Sequence, residues 1–199
     1  YQWGQVKKTI DGGGNWTSIG IAFREDRTNW STPFIMDHYN SDILYVGTYR
    51  LWKTEDAGNS FANISDDLTQ GDDGSSYHTI TSLAQSKINL NFLLVGTDDG
   101  RVHFSMNEGE WVDISNGLPI RWITSVAFDP FNENTIYTTV SGFRWDEPES
   151  HIFKSDDLGE NWIPIQGDLP EFPINCIIID PENNMNILVG TDAGVFGTN

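Results

Sequence analysis

Ser-Asp-Asp-Leu-Gly-Glu-Asn-Trp, residues 155–162, is the stretch whose recurrence decides the fold. Its skeleton, Ser/Thr-x-Asp-x-Gly-x-x-aromatic, is built here from Ser155, Asp157, Gly159 and Trp162. It returns as Thr9, Asp11, Gly13 and Trp16, and again as Thr54, Asp56, Gly58 and Phe61. A shorter copy carries Ser105, Asn107, Gly109 and Trp111. The first residues of successive copies stand 45, 51 and 50 positions apart. Two further markers keep the same beat. Val46-Gly47-Thr48, Val95-Gly96-Thr97 and Val189-Gly190-Thr191 are separated by 49 and 94 positions. Asp129-Pro130 and Asp180-Pro181, with Asp37 in the matching place, form the other. Three markers in one register define an internal repeat.

Each repeat reads as four short strands. In the third, residues 123–128 lead into an Asp-Pro turn and are followed by 135–140, 151–155 and 161–165. Five- and six-residue strands broken by Gly, Pro, Asn and Asp are an all-β signature. No segment holds an apolar 3.6-residue period long enough for a helix. Four antiparallel strands per repeat, recurring along the chain, predict the blades of a β-propeller. One domain is expected over residues 1–199, with full blades at about 33–64, 78–114 and 122–165 and half-blades at 1–19 and 174–199. The half-blades offer two third strands, residues 5–9 and 195–198, for a single slot, so a piece of a longer propeller is expected rather than a ring closed on itself.

The repeated turn explains its own residues. An Asp in a tight turn accepts hydrogen bonds from backbone N–H groups a few residues on. Gly supplies the positive φ of the hairpin, and the aromatic residue returns to the core. Asp11, Asp56 and Asp157 are therefore read as structural, since one active site does not need an acid in every blade.

Lys and Arg total 11 against 29 Asp and Glu, a formal charge of −18, which argues against nucleic acid and anionic membranes as partners. No apolar run approaches the ~20 residues of a membrane span. Eight Trp and an aromatic content of 13% exclude disorder. Cys176 is the sole cysteine, so no intrachain disulfide forms, and its Ile-Asn-Cys-Ile-Ile-Ile setting predicts a buried thiol. His38, His78, His103 and His151 fall in different blades or turns without metal-ligand spacing. Asp72-Asp73-Gly74 and Asp156-Asp157 lack the spacing of a calcium loop. No metal or cofactor is expected, and structural Ca²⁺ finds no support in the spacing.

In a propeller the turns between third and fourth strands share one face with those between first and second strands. The inter-blade connections and second-to-third loops occupy the other. That second face collects Arg24, Arg27, Trp30, Arg121, Trp122, Arg144, Trp145, Asp146, Glu147 and Glu149, five of them from the long loop 141–150. Long loops on a regular scaffold concentrate function. Trp beside Arg and carboxylates suits a sugar ring, and it suits a protein partner as well.

The Ser/Thr-x-Asp-x-Gly-x-x-Trp pattern, together with Thr97-Asp98-Asp99-Gly100, the run Ile114-Ser115-Asn116-Gly117-Leu118-Pro119 and residues 190–196, resembles the Asp-box (BNR) repeats of large secreted bacterial propellers. That family includes sortilin-like and glycosyl-hydrolase-like members, many of them exported by type IX secretion. The resemblance implies a β-propeller, an extracellular or cell-surface location and further domains in the same polypeptide. It carries over no catalytic residue. Phe23-Arg24-Glu25-Asp26 lacks the Ile-Pro of the sialidase motif, and xyloglucan-cleaving relatives place their paired Asp residues across two propellers. The leading expectation is a non-catalytic module that binds a glycan or a protein. A glycoside hydrolase whose acid pair lies partly outside this chain is the alternative, and a sortilin-like receptor or secretion partner is a third reading.

Overall fold

The computed structural model describes residues 3–74, 78–142 and 151–198. The described residues are all-β apart from one 3₁₀ turn, Gly20–Phe23, in a connection where no helix was expected. A short pair comes first, β1 (Lys7–Lys8) with β2 (Thr17–Ser18). Three four-stranded antiparallel sheets follow in chain order. They are β3 (Phe34–Met36) to β6 (Ala62–Asn63) through β4 (Leu44–Gly47) and β5 (Leu51–Thr54), then β7 (Ile80–Gln85) to β10 (Glu110–Asp113) through β8 (Leu93–Thr97) and β9 (Val102–Asn107). The third runs from β11 (Trp122–Phe128) through β12 (Ile136–Ser141) and β13 (Ile152–Ser155) to β14 (Ile163–Pro164). The last sheet joins β15 (Ile174–Ile179), β16 (Ile187–Thr191) and β17 (Gly194–Gly197).

Packing explains the markers. The Val-Gly-Thr strands are second strands, and β8 is buried along its whole length. A Cβ on Gly96 would stand 2.4 Å from Ile123 Cγ2, and one on Gly47 would stand 2.7 Å from Ile80 Cγ2. The missing side chain therefore lets the first strand of the next sheet press against the second strand of its predecessor. Apolar layers fill these junctions. Leu51, Leu68, Ile80 and Val95 join the β3–β6 and β7–β10 sheets, and Val102, Ile114, Ile123 and Ile136 join the next pair. Ile152, Ile174, Ile177 and Val189 join the last.

The first strands β7, β11 and β15 sit side by side, each with a register shift near its start. The shift frees a Thr to bridge to the next blade: Thr81 Oγ1 donates to Ile123 O and Thr124 Oγ1 to Ile174 O, both at 2.6 Å. The same shift corrects the expectation for Cys176. Between Ile174 and Cys176 the alternation slips, so Asn175 and Cys176 both face outward and the thiol is exposed. Trp16 is also corrected. Rather than entering a core it is 53% exposed, its indole donating to Gly13 O inside its own turn.

The turns close as follows. Thr54 Oγ1 donates to Asp56 Oδ1 at 2.8 Å and accepts from Gly58 N, while Ser60 N and Oγ donate to the two Asp56 oxygens at 2.8 and 2.6 Å. Asp11 and Asp157 repeat this with Asn15 and Asn161. The positive φ is not confined to glycine, since Ala57 and Leu158 adopt φ of 56° and 57° immediately before Gly58 and Gly159. The shorter copy differs. Ser105 Oγ donates to Asn107 O, and a tight hairpin turns through Glu108 and Gly109 with Asn107 in place of the repeated aspartate.

Candidate ligand-binding face

Hydrogen bonds between turns establish two sides. Ala57 N donates to Asp42 O and Leu158 N to Asn134 O, tying third-to-fourth turns to first-to-second turns. His38 meets Gln85 O, and Asn184 Nδ2 donates to Asp129, within the same side. On this side a cavity of about 420 Å³ lies between the first strands, lined by Ile35, Leu83, Val126, Phe128 and Ile177 among others. The opposite side is held by the connections. Thr48 Oγ1 donates to Asp26, Asn29 Nδ2 to Thr79 Oγ1, and Gln70 N to Asp99.

Residues 20–32 make one corner of that opposite side. Arg27 pairs with Asp67 at 2.8 Å and Asp72 at 3.6 Å, its guanidinium 4.4 Å from the centre of the Tyr49 ring. Arg50 lies 4.9 Å from the same ring and binds Asp26 through two N–H groups at 3.1 and 2.9 Å. Asp26 also accepts from Trp52 Nε1 and Thr48 Oγ1, both at 2.8 Å. Burial works against this carboxylate, yet Arg50, Trp52 and Thr48 hold it below its ordinary pKa. Planar guanidinium groups stacked on an aromatic ring form a rigid floor. Arg27 Nε is buried there without a partner among the described residues. Beside this corner Trp3 and Trp30 meet edge to face, centroids 5.4 Å apart, and are 51% and 55% exposed.

Farther round, Asp98 is buried and accepts from Thr79 N and Oγ1, and burial pushes its carboxyl up. His78 stands between Asp99 at 2.8 Å and Asp73 at 3.2 Å; burial opposes its charge, but the two carboxylates raise its pKa above the ordinary value. A polar hollow of about 500 Å³ opens beyond, lined by Gln70, Arg101, Asp113, Ser115 and Asn116. Arg101 pairs with Asp113 across it. Among the described residues no three His, Cys, Asp or Glu side chains converge as a metal site. No helix there is long and apolar enough to cross a membrane.

The expected site residues divide accordingly. Arg24, Arg27 and Trp30 share one connection, with Arg24 exposed and paired to its neighbour Glu25. Arg121 and Trp122 lie two sheets on, at the start of β11, where Arg121 Nη1 donates to Ile120 O and Trp122 is half-buried opposite Ser141. Arg144, Trp145, Asp146, Glu147 and Glu149 lie outside the described residues. Trp3, Tyr49, Arg50 and Asp67 are not singled out by the sequence, and Asp26 enters it only through the Phe23-Arg24-Glu25-Asp26 comparison. Tyr49-Arg50 follows the Val-Gly-Thr marker directly, in a second-to-third loop, and that position alone could have placed it on this side.

Known structures fix the class. The chain aligns over 95% of its length with an ancestral GH74 enzyme at 24% identity and a TM-score of 0.68. It aligns over 97% with the GH74 enzyme of Niastella koreensis at 20% identity and a TM-score of 0.72. Over 98% it matches the GH74 xyloglucanase of Xanthomonas campestris, at 17% identity and a TM-score of 0.70. These likenesses, with the repeated four-stranded sheets, define the fold as a β-propeller arrangement. The chain spans between a quarter and a third of the length of those three enzymes: 25%, 31% and 33%. No family model matches the sequence, and no curated protein does.

Proposed function

We propose that this chain is a propeller segment whose connection side binds a glycan, as a non-catalytic part of a larger secreted polypeptide. One observation carries the reading: the connection 20–32 carries both the exposed Trp30, edge to face with Trp3, and Arg27, which shares the Tyr49 ring with Arg50. Indole faces stack on the apolar face of a sugar ring, while fixed carboxylates and guanidinium groups take its hydroxyls. The likeness to GH74 enzymes, one of them a xyloglucanase, makes a branched β-glucan the first ligand to try. The turn aspartates Asp11, Asp56 and Asp157 are assigned to holding the blades, because their oxygens are already engaged by their own turns.

The test is affinity electrophoresis through gels containing xyloglucan, hydroxyethyl cellulose or neither. Retardation by one polysaccharide, weakened about tenfold in Trp30→Ala, is the expected outcome. Equal mobility in all gels would overturn it. The same GH74 likeness favours a second reading, a hydrolase whose acid pair is completed by sequence elsewhere. Release of reducing ends by the isolated chain, abolished by one carboxylate substitution, would put that reading first.

A further inference from the structure

The turns between first and second strands share one construction. Asp37 Oδ1 accepts from Tyr39 N and Asn40 N, Ser86 Oγ from Ile88 N and Asn89 N, and Asp129 Oδ1 from Phe131 N and Asn132 N. Asp180 Oδ1 accepts from Glu182 N in the last sheet. An Asn then repeats the device: Asn40, Asn89, Asn132 and Asn183 each accept, through Oδ1, from the N–H two residues on. Each turn satisfies its own backbone, and the residue two places after the Asp or Ser is left at the tip.

That tip is Tyr39, Ile88 and Phe131 in three successive blades, 76%, 45% and 57% exposed, and Glu182 in the next. Single exposed apolar side chains are ordinary on a protein surface. Three at one turn position in neighbouring blades are a set. The residues just before them, His38, Lys87 and Pro130, line one cavity together with Pro181, so the tips stand around a common mouth.

Carboxylates frame the tips. Asp42 and Glu133 belong to the same turns as Tyr39 and Phe131 and are exposed. Ala57 N on Asp42 O and Leu158 N on Asn134 O bring the turns of Asp56 and Asp157 to this side as well. The lysines here are engaged in part, Lys53 by Glu55 and Glu108 at 2.6 Å and Lys154 by Asp156 at 2.9 Å. Among the described residues every Arg (24, 27, 50, 101 and 121) belongs to the connection side. The tips are therefore apolar points in an acidic surround.

We propose that the turn side is a docking surface for a basic segment of another protein, whose apolar side chains meet Tyr39, Ile88 and Phe131 while its Lys or Arg groups answer the carboxylates. Charge complementarity names this occupant, since a second copy of a chain with charge −18 would set acid against acid. The surface lies on the side away from the connections and does not rest on the glycan reading.

The probe is a synthetic peptide alternating Lys and Leu, compared by fluorescence anisotropy with one alternating Lys and Ser at equal length and charge. The native chain should bind the Lys–Leu peptide at least about tenfold more tightly. Tyr39→Ser, Ile88→Ser and Phe131→Ser together should bring the two peptides within about twofold, and Phe131→Ser alone should remove part of the preference. All three side chains are exposed, so Tm should stay unchanged. Trp30→Ala should leave the preference intact, which separates this surface from the glycan face. Equal affinity of the native chain for both peptides would overturn the proposal, as would a preference that survives the triple substitution. Self-association of the native chain that the triple substitution abolishes would make a second copy the occupant, and would also overturn it.

Discussion

Gly159 and Gly109 stand at the same step of the repeat with nearly the same φ, 93° and 96°, but in different company. A Cβ on Gly159 would come 2.7 Å from Ile114 Cβ, whereas one on Gly109 meets nothing within 4 Å. Gly109→Ala should cost only the left-handed backbone term, about 1–2 kcal/mol. Gly159→Ala should cost about 2–4 kcal/mol, because Ile114 must also give way. Urea unfolding of the two variants separates the terms. The turn aspartates behave oppositely to a catalytic acid. The side-chain and backbone bonds from Ser60, with that from Thr54, lower the Asp56 pKa to about 2 from an ordinary 3.8. A depressed carboxylate stabilises the fold above its unfolded value and loses that contribution as pH falls through the folded one. Thermal melts between pH 4 and 2 should therefore show a shallower decline for Asp56→Asn than for the native chain.

Elements were legible where spacing alone determines them. The beat of Thr54, Ser105 and Ser155 placed the third strands, and Val-Gly-Thr marks the second strands, where Gly47 and Gly96 admit the neighbouring Ile at 2.7 and 2.4 Å. The fourth strand expected over 161–165 is β14, two residues long, since it is an exposed outer edge and Pro164 offers no N–H to a further partner. Cys176 escaped because a one-residue register shift reverses faces, and no residue type announces it. Junctions between elements rest on side chains as much as on area. Trp162→Phe keeps the ring but leaves Ile114 O without its 2.7 Å donor, and should cost about 1–2 kcal/mol in chemical unfolding. Phe61 holds the corresponding position of its turn and packs against Phe23, Val46 and Trp52, so the variant should still fold.

Across the whole molecule the carboxylates outnumber their partners. Ion pairs such as Arg27–Asp67, Arg50–Asp26 and Lys53–Glu108 neutralise some, but the chain keeps a charge of −18. Self-repulsion of that size is screened by salt, so raising NaCl from about 10 mM to about 0.5 M should lift Tm by roughly 2–4 °C. The connection side was only half legible for a related reason. Arg27 and Trp30 stood out by composition, but their setting needs Asp67 from 40 residues away and the Tyr49 ring, a convergence that spacing does not encode. The most direct measurement is an NMR titration of the six-Arg, eight-Trp chain with the polysaccharide fragments used for electrophoresis, following indole and guanidinium N–H signals. Shifts concentrated on Trp3, Trp30, Arg27 and Arg50 are the expected result. Shifts confined to the turn side, around His38 and Gln85, or none at all, would contradict a binding face built by the connections between blades.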